Sequence, residues 1–471
     1  MADRARGGTD DGDRITRRAA LGAGVATTLA LAGAPAWART RPLRPHRRRP
    51  DELPYPDRPM GEPGIPQIEH LVLVMLENHS TDNVLGMLPR FSRAHRWDFD
   101  GLPVNRYGIP ITSNPDLSGK PVRSFAAPDM CPDSGLTQNW NSSHRQWGGG
   151  HNDGFVTNAQ SHTPMSYMTP AQMPVTYALA SHFPVSDRFF CSVLGQTLPN
   201  RRYYFSGTSS GEVNDDNSSL LVPAANGTIF DRLDAAKVSW RVYYGNTPSP
   251  FYFPNLRDNP LQVARCVNNE QFFSDAAAGR LPSVSYVEEN FSYQSEENPQ
   301  DIAYGEAFLA RVASAVMHGP LWPKTALFVT YDEHGGYFDH VPPPAAVPPD
   351  EIPPNLTLSA KGTFPAKFDR YGFRVPLTVI SPWGQPRYVS HRVADLTSIL
   401  AFIERKWNLP PMTRRDAAAW DLSDMFDVSA PRLAAPLTLP AAPDINTTLA
   451  KCRADGESPP TNSPTSSLPS T

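Results

Sequence analysis

LFVTYDEHGGYFDHVPPP, residues 327–344, decides the reading of this chain. A β-branched and aromatic run stops at two adjacent carboxylates, Asp332 and Glu333. His334 and a Gly-Gly turn follow, then Asp339-His340, then prolines that no regular element continues through. Upstream, LVLVMLENHSTDNVLG (71–86) is a second apolar run that ends on hydrogen-bonding oxygens, Glu77 and Asn78. Two strands that deliver oxygen donors from distant parts of the chain suggest one metal site, and that pairing points to phosphate ester hydrolysis.

Working outward, short apolar runs alternate with helical patterns. Strands are expected at 71–76, 239–244, 283–287, 327–331 and 376–380, and helices at 304–317 and 396–407. A helix leading into the 327–331 strand is a β-α-β crossover. The pattern argues for an α/β fold with a largely parallel sheet covered on both faces and with long loop insertions, the largest at 85–190. Ligands of such sheets bind beyond the carboxyl ends of the strands, where Glu77-Asn78 and Asp332-Glu333 both fall.

The 471 residues carry 43 Lys+Arg against 47 Asp+Glu, a net charge of -4, so no basic field exists to hold nucleic acid. The 51 prolines are about twice ordinary usage and imply a heavily interrupted fold. Residues 1–38 read as a twin-arginine export signal: Arg17-Arg18 precede a weakly hydrophobic Ala- and Gly-rich run, and Ala36-Trp37-Ala38 is a small-residue cleavage pattern. Export machinery is then a partner, the location is extracellular, periplasmic or envelope-associated, and no transmembrane segment survives processing. Residues 39–66, rich in Arg and Pro, read as a linker. The catalytic domain is expected over 67–430 and a Pro/Ser/Thr-rich tail over 431–471, disordered in its last fifteen residues, 457–471. Cys131, Cys191, Cys266 and Cys452 allow disulfides after export without specifying any, and Cys191 in FFCSV reads as a buried thiol.

The third chemical stretch is SVLGQTLPNRRYYFSGTSSG (192–211). Thr197 sits at a loop or helix start, where a cation or a base could activate its hydroxyl, and Asn200 or Arg201 could hold phosphoryl oxygens. Trp140, Trp147, Tyr203 and Tyr204 are candidates for a substrate cleft or for the core.

These motifs, in this order, resemble the bacterial phosphoesterase family of non-haemolytic phospholipases C and related acid phosphatases. ENHSTDNVLG, TLPNR and TYDEHGGYFDHVPPP carry the similarity, which extends from about 68 to 426 and includes SPWGQPRYVSHRVADLTSILAFIERKWNLP. The resemblance implies the alkaline phosphatase and arylsulfatase fold, an α/β/α sandwich with a mostly parallel central sheet and the metal and nucleophile at its carboxyl edge. It implies a divalent metal (zinc, calcium, magnesium or manganese) held by Glu77, Asn78, Asp332, Glu333 and the Thr197 oxygen. Thr197 would be the nucleophile, and His144, in NSSHRQWGGGHNDGF, would lie near the phosphoryl group. Asn298 stands where relatives with phospholipase activity often carry a histidine, so protonation of the leaving group would pass to His340 or His391. The implied substrate is a phospholipid headgroup or a small phosphate ester. Phospholipase C-like hydrolysis is the leading expectation, with a broad acid phosphatase or an inactive envelope-binding scaffold as alternatives. A sulfatase is disfavoured, because Thr197 cannot become formylglycine.

Overall fold

The computed structural model describes residues 49–91, 98–132, 135–356 and 363–456. The export signal expected at 1–38, the first part of the linker and residues 457–471 lie outside the described residues.

The 71–76 run forms β1 (His70–Leu76), whose last six residues are all buried. A strand covered on both faces has no polar face to alternate with, hence its unbroken apolar sequence. Around it lie β2 (Val185–Ser186), β3 (Trp240–Tyr244), β4 (Cys266–Asn268), β5 (Val284–Val287), β6 (Thr325–Tyr331), β7 (Leu377–Ile380) and β8 (Val389–Ser390). They make one eight-stranded sheet in the order β8-β2-β7-β6-β1-β5-β3-β4. Only β7 runs against the others. The expected mostly parallel sheet is therefore present.

Register explains the two helical layers. Leu73 of β1 stands beside Tyr286 of β5 and Phe328 of β6 on one face. That face meets α2 (Thr197–Ser206), α3 (Ile229–Ala235) and α6 (Leu396–Trp407). Phe205 and Phe230 each lie 5.2 Å from the Tyr286 ring, and Phe402 lies 5.2 Å from Phe328. The opposite face, where Tyr243 packs 5.4 Å from Phe272, is covered by α1 (Pro174–His182), α4 (Glu270–Ala277) and α5 (Ala303–His318). The 304–317 and 396–407 patterns thus emerge as α5 and α6.

Two boundaries differ from expectation. The linker does not stay loose where it is described: Tyr55 N–H donates to Asn408 Oδ1 at 2.8 Å and Gly61 N–H to the Trp407 carbonyl at 2.8 Å. Asn408 ends α6 in the left-handed conformation (φ 48°), which exposes orphan carbonyls and an amide that the incoming segment satisfies. At the other end Leu433 is buried, and α7 (Ile445–Ala454) buries Leu449 and Cys452. Cys452 forms a disulfide with Cys131, 321 residues earlier. Cys191 is a buried free thiol, as expected, and Cys266 a half-buried one.

A cross-link between positions so far apart removes much loop-closure entropy from the unfolded chain. Replacing both Cys131 and Cys452 with Ser should lower unfolding free energy by about 2–5 kcal/mol. Urea melts of oxidised wild type and the double variant test this; coincident midpoints would show that the link contributes nothing.

Candidate active site

The parallel register brings the strand ends together. Leu76 and Tyr331 are the last paired residues of β1 and β6, and Asp332 N–H donates to the Leu76 carbonyl at 3.1 Å. Glu77-Asn78 and Asp332-Glu333 therefore leave the sheet side by side. β5 ends at Val287 beside Val74 and continues into Glu288-Glu289, a third oxygen-bearing strand end. Thr197 opens α2 over this edge and donates its hydroxyl to Glu77 Oε2 at 3.3 Å.

One helical turn later Arg201 sits at the centre. Its guanidinium donates to Glu77 Oε1 (2.7 Å), Asp332 Oδ2 (3.0 Å) and Ser249 Oγ (3.1 Å), with Glu289 Oε1 at 4.0 Å. Burial opposes its charge, but Glu77, Asp332 and Glu289 outweigh that and hold it protonated. The acids outnumber this one cation. Burial, then repulsion from Glu77, pushes Asp332 well above the usual carboxylate range, and burial plus Asp332 does the same to Glu333. Burial raises Glu289 to about 8. Both amide atoms of Asn78, Glu333 Oε1 and both Glu289 oxygens are buried without a hydrogen-bond partner. Orphaned polar atoms at that density cost free energy unless a ligand completes them.

The Gly-Gly turn is required by crowding. Gly335 has φ +64°, and a Cβ there would fall 2.0 Å from the Asn78 carbonyl oxygen. Its N–H donates to Glu333 Oε2 at 2.8 Å. The loop before Thr197 is held equally closely. Asn200 Nδ2 donates to the carbonyls of Val193, Gly195 and Gln196, and its Oδ1 accepts from Val193 N–H at 3.0 Å. Asp215 accepts the Leu198 N–H at 2.7 Å and is raised by burial to about 6. An acid at that helix start interacts favourably with the positive end of the helix dipole.

His144, on the helix Trp140–Trp147, bonds through Nδ1 to the Trp140 carbonyl at 2.7 Å, so Nδ1 carries the proton. Burial lowers its pKa to about 4, leaving a neutral ring stacked on Phe364 at 4.9 Å. It lines a cavity of about 240 Å³ with Trp147, Leu194 and Phe364. Of the other cleft candidates, Trp140 and Tyr203 pack around Phe368 and Tyr204 packs in the main core. His334 is buried, with Nε2 2.8 Å from Gln146 Oε1; its Nδ1 lies 3.2 Å from Glu333 Oε2 without hydrogen-bond geometry.

Four candidates lie in settings their sequence did not show. Arg201 and Asn200, read as phosphate holders, donate to protein oxygens, Arg201 through one bond each from Nε, Nη1 and Nη2. His340, read as a catalytic group, belongs to a separate network: Nδ1 lies 2.7 Å from Asp82 Oδ2 and Nε2 3.2 Å from Asp100 Oδ1. Burial opposes its charge, yet Asp82 and Asp100 raise its pKa to about 10. Arg374 joins the same network through Asp82 (3.0 Å) and Asp339 (2.9 Å), so these acids already hold a cation and need no metal. His391 is 55% exposed and pairs with Asp187 at 2.9 Å. Asn298 bonds to Tyr337 Oη and the Gly335 carbonyl. Asp215 and Glu297, the latter raised by burial to about 8, are left as carboxyls able to carry a proton near neutral pH.

Glu288, Glu289, Asp215, Arg374 and Ser249 escape the sequence reading. For Glu288-Glu289 a signal exists, since SYVEEN ends an apolar run on carboxylates as the other two strands do.

The profile of the Phosphoesterase family matches residues 68–410. This chain belongs to the Phosphoesterase family. Non-specific phospholipase C1 of Arabidopsis thaliana is 33% identical over 401 residues, covering 79% of this chain and 74% of that protein. Phospholipase C A of Mycobacterium tuberculosis is 31% identical over 419 residues, covering 77% and 78%. The chain is accordingly a hydrolase of phosphoric ester bonds, and the resemblance read from its motifs is borne out. Among solved structures, an alkaline phosphatase superfamily protein from Vibrio parahaemolyticus is 11% identical with a TM-score of 0.39, covering 82% of this chain and 76% of that one. The lipoteichoic acid synthase LtaP from Listeria monocytogenes is 9% identical with a TM-score of 0.38, covering 77% of each chain.

Arg201→Ala should cost about 3–5 kcal/mol in metal-free protein, since it strands buried carboxylates without their cation. Chemical denaturation with chelator present measures it, and a loss near zero would remove Arg201 from this role. His340 gives a pH signature. Its folded pKa, about 10, lies above the ordinary 6.5, so its stabilisation is complete below 6.5 and is lost as pH rises through 10. The Tm gap between wild type and His340→Gln should narrow across that window; a constant gap would contradict the charged pairing.

Proposed function

We propose that this protein is an exported, divalent-metal-dependent phosphodiesterase of the phospholipase C type, with Thr197 as nucleophile and the headgroup ester of a phospholipid as substrate. The observation that carries the reading is the Thr197 hydroxyl at the start of α2, bonded to Glu77, whose strand end also carries the unpartnered amide of Asn78 and leaves the sheet beside Asp332-Glu333. The names of the phospholipase C relatives support the substrate class, and the paired arginines Arg17-Arg18 before an Ala-rich run support export.

The donor set fits a hard divalent cation. Glu77, Asp332 and Glu333 offer carboxylates, Asn78 an amide oxygen and Thr197 a hydroxyl, which suits calcium, magnesium, manganese or zinc. Such a cation, when bound, neutralises the phosphoryl charge and favours the ionised hydroxyl. Arg201 holds Glu77 by Oε1 and Asp332 by Oδ2, while Glu77 Oε2 accepts the Thr197 hydroxyl and Asp332 Oδ1 accepts the Glu333 N–H at 2.8 Å. Asn200 fixes the loop so that the Thr197 oxygen needs little reorganisation to reach phosphorus. The Thr197 Oγ–P bond forms in line as the P–O bond to the leaving alcohol breaks, giving a phosphothreonine. Water then attacks phosphorus, restores the hydroxyl and releases the phosphorylated headgroup. Neutral His144, with its proton on Nδ1, presents Nε2 as an acceptor beside the 193–197 loop.

Thr197→Ala should abolish hydrolysis while the fold, by circular dichroism, and bound metal, by elemental analysis, stay as in wild type. Wild type should cleave phosphatidylcholine in preference to p-nitrophenyl phosphate, and chelator should stop both. Near-normal turnover by the Ala variant would remove the nucleophile assignment, and preference for the monoester would make the enzyme an acid phosphatase.

A further inference from the structure

A phosphodiesterase of phospholipids has to meet a lipid surface, yet among the described residues no helix is long and apolar enough to cross a membrane. The turn after Leu102 has the character such a contact needs. Tyr107, Ile109 and Ile111 are 70%, 54% and 55% exposed, three large apolar side chains within five residues. Elsewhere Leu221 and Leu261, although as exposed, stand singly in their segments.

The turn is stiff and satisfies its own backbone. Asn105 Oδ1 accepts the N–H groups of Tyr107 (2.9 Å) and Ile109 (3.1 Å). Asn105 N–H donates to the Ile109 carbonyl and Gly108 N–H to the Asn105 carbonyl, both at 2.9 Å. Gly108, at φ +80°, permits the reversal. Apolar side chains on a turn with internally bonded amides enter a headgroup layer with little backbone desolvation cost.

The charge is complementary to an anionic surface. The Arg106 guanidinium lies 4.7 Å over the Tyr107 ring and donates to its Oη at 2.6 Å. Exposed Arg90 lies against Gly108 and reaches the Asn105 carbonyl at 3.4 Å. Residues 101–115 contain no Asp or Glu. Tyrosine and arginine beside aliphatic side chains match the composition of membrane-interface anchors.

The segment is also fastened to the catalytic edge of the sheet. Leu102 N–H donates to the Gly86 carbonyl at 2.7 Å, shortly after β1. Asn114 Nδ2 donates to the Asn152 carbonyl, and Asn152 Nδ2 to the Asp339 carbonyl after β6. We propose that the 105–111 turn docks the enzyme on anionic phospholipid surfaces, with Tyr107, Ile109 and Ile111 entering the interface and Arg106 and Arg90 meeting the headgroups. This rests on the phospholipase reading above.

The test uses the full chain carrying Thr197→Ala, so that vesicles stay intact, and sedimentation with vesicles of phosphatidylcholine alone or mixed with phosphatidylglycerol. Binding should be stronger to the mixture. Adding Tyr107→Ser, Ile109→Ser and Ile111→Ser should weaken it about tenfold or more. Adding Arg106→Gln should reduce the response to phosphatidylglycerol. With Thr197 intact, the triple serine variant should hydrolyse a short-chain, monomerically dissolved phosphatidylcholine as wild type does while losing activity on vesicles. Tyr107→Trp should show a blue-shifted emission when mixed vesicles are added. Unchanged vesicle binding by the triple variant, an unshifted emission from the Tyr107→Trp variant, or equal loss on monomers and vesicles would each overturn the docking role. Failure of Thr197→Ala to stop turnover would instead overturn the nucleophile reading and leave the vesicle binding to be judged by its own result.

Discussion

A single buried guanidinium makes the arrangement of this sheet edge possible. Arg201 reaches from the second turn of the helix that Thr197 begins and bridges the carboxylates at the ends of the two central strands. Without a positive charge between them, Glu77 and Asp332 would repel across a space from which water is excluded, and the strands that carry them would resist ending in register. One arginine cannot offset Glu77, Asp332, Glu333 and Glu289 together. The raised carboxyls and the orphaned amide of Asn78 are what remains, and that deficit of positive charge is what the proposed divalent cation would offset.

A second buried cation does separate work. Arg374 ties Asp82, in the short helix Thr81–Leu85, to Asp339 after the Gly-Gly turn, with His340 charged against Asp82 and Asp100. The two clusters share chain segments but divide their tasks. Residues 77–78 and 332–333 face the candidate reaction centre, while residues 82 and 339–340, a few positions on, lock the loops that hold them. Arg374 and His340 thereby brace the turns that follow the two central strands.

The legible and illegible parts of the sequence separate along physical lines. β1, β5 and β6 are readable because central parallel strands are continuous apolar runs, and the abrupt carboxylates after them stand out against that background. β2, β4 and β8 are two or three residues long, too short for any periodicity, and exist because neighbouring edges offer hydrogen-bonding partners. His340 stands out in the sequence because it neighbours Asp339. Its actual partners include Asp82, 258 positions away, and no local pattern encodes such pairing. Arg201 is legible in its place and not in its use, because a guanidinium that grips a phosphate and one that grips carboxylates look alike in one dimension.

The bond between Cys131 and Cys452 has a consequence for biosynthesis. Cys452 lies in α7, after every strand of the sheet, so it leaves the ribosome once all of them have been synthesised. The bond can therefore form only after the last strand has been made, and it ties the C-terminal helix back to the long insertion as a late covalent event in the life of the chain.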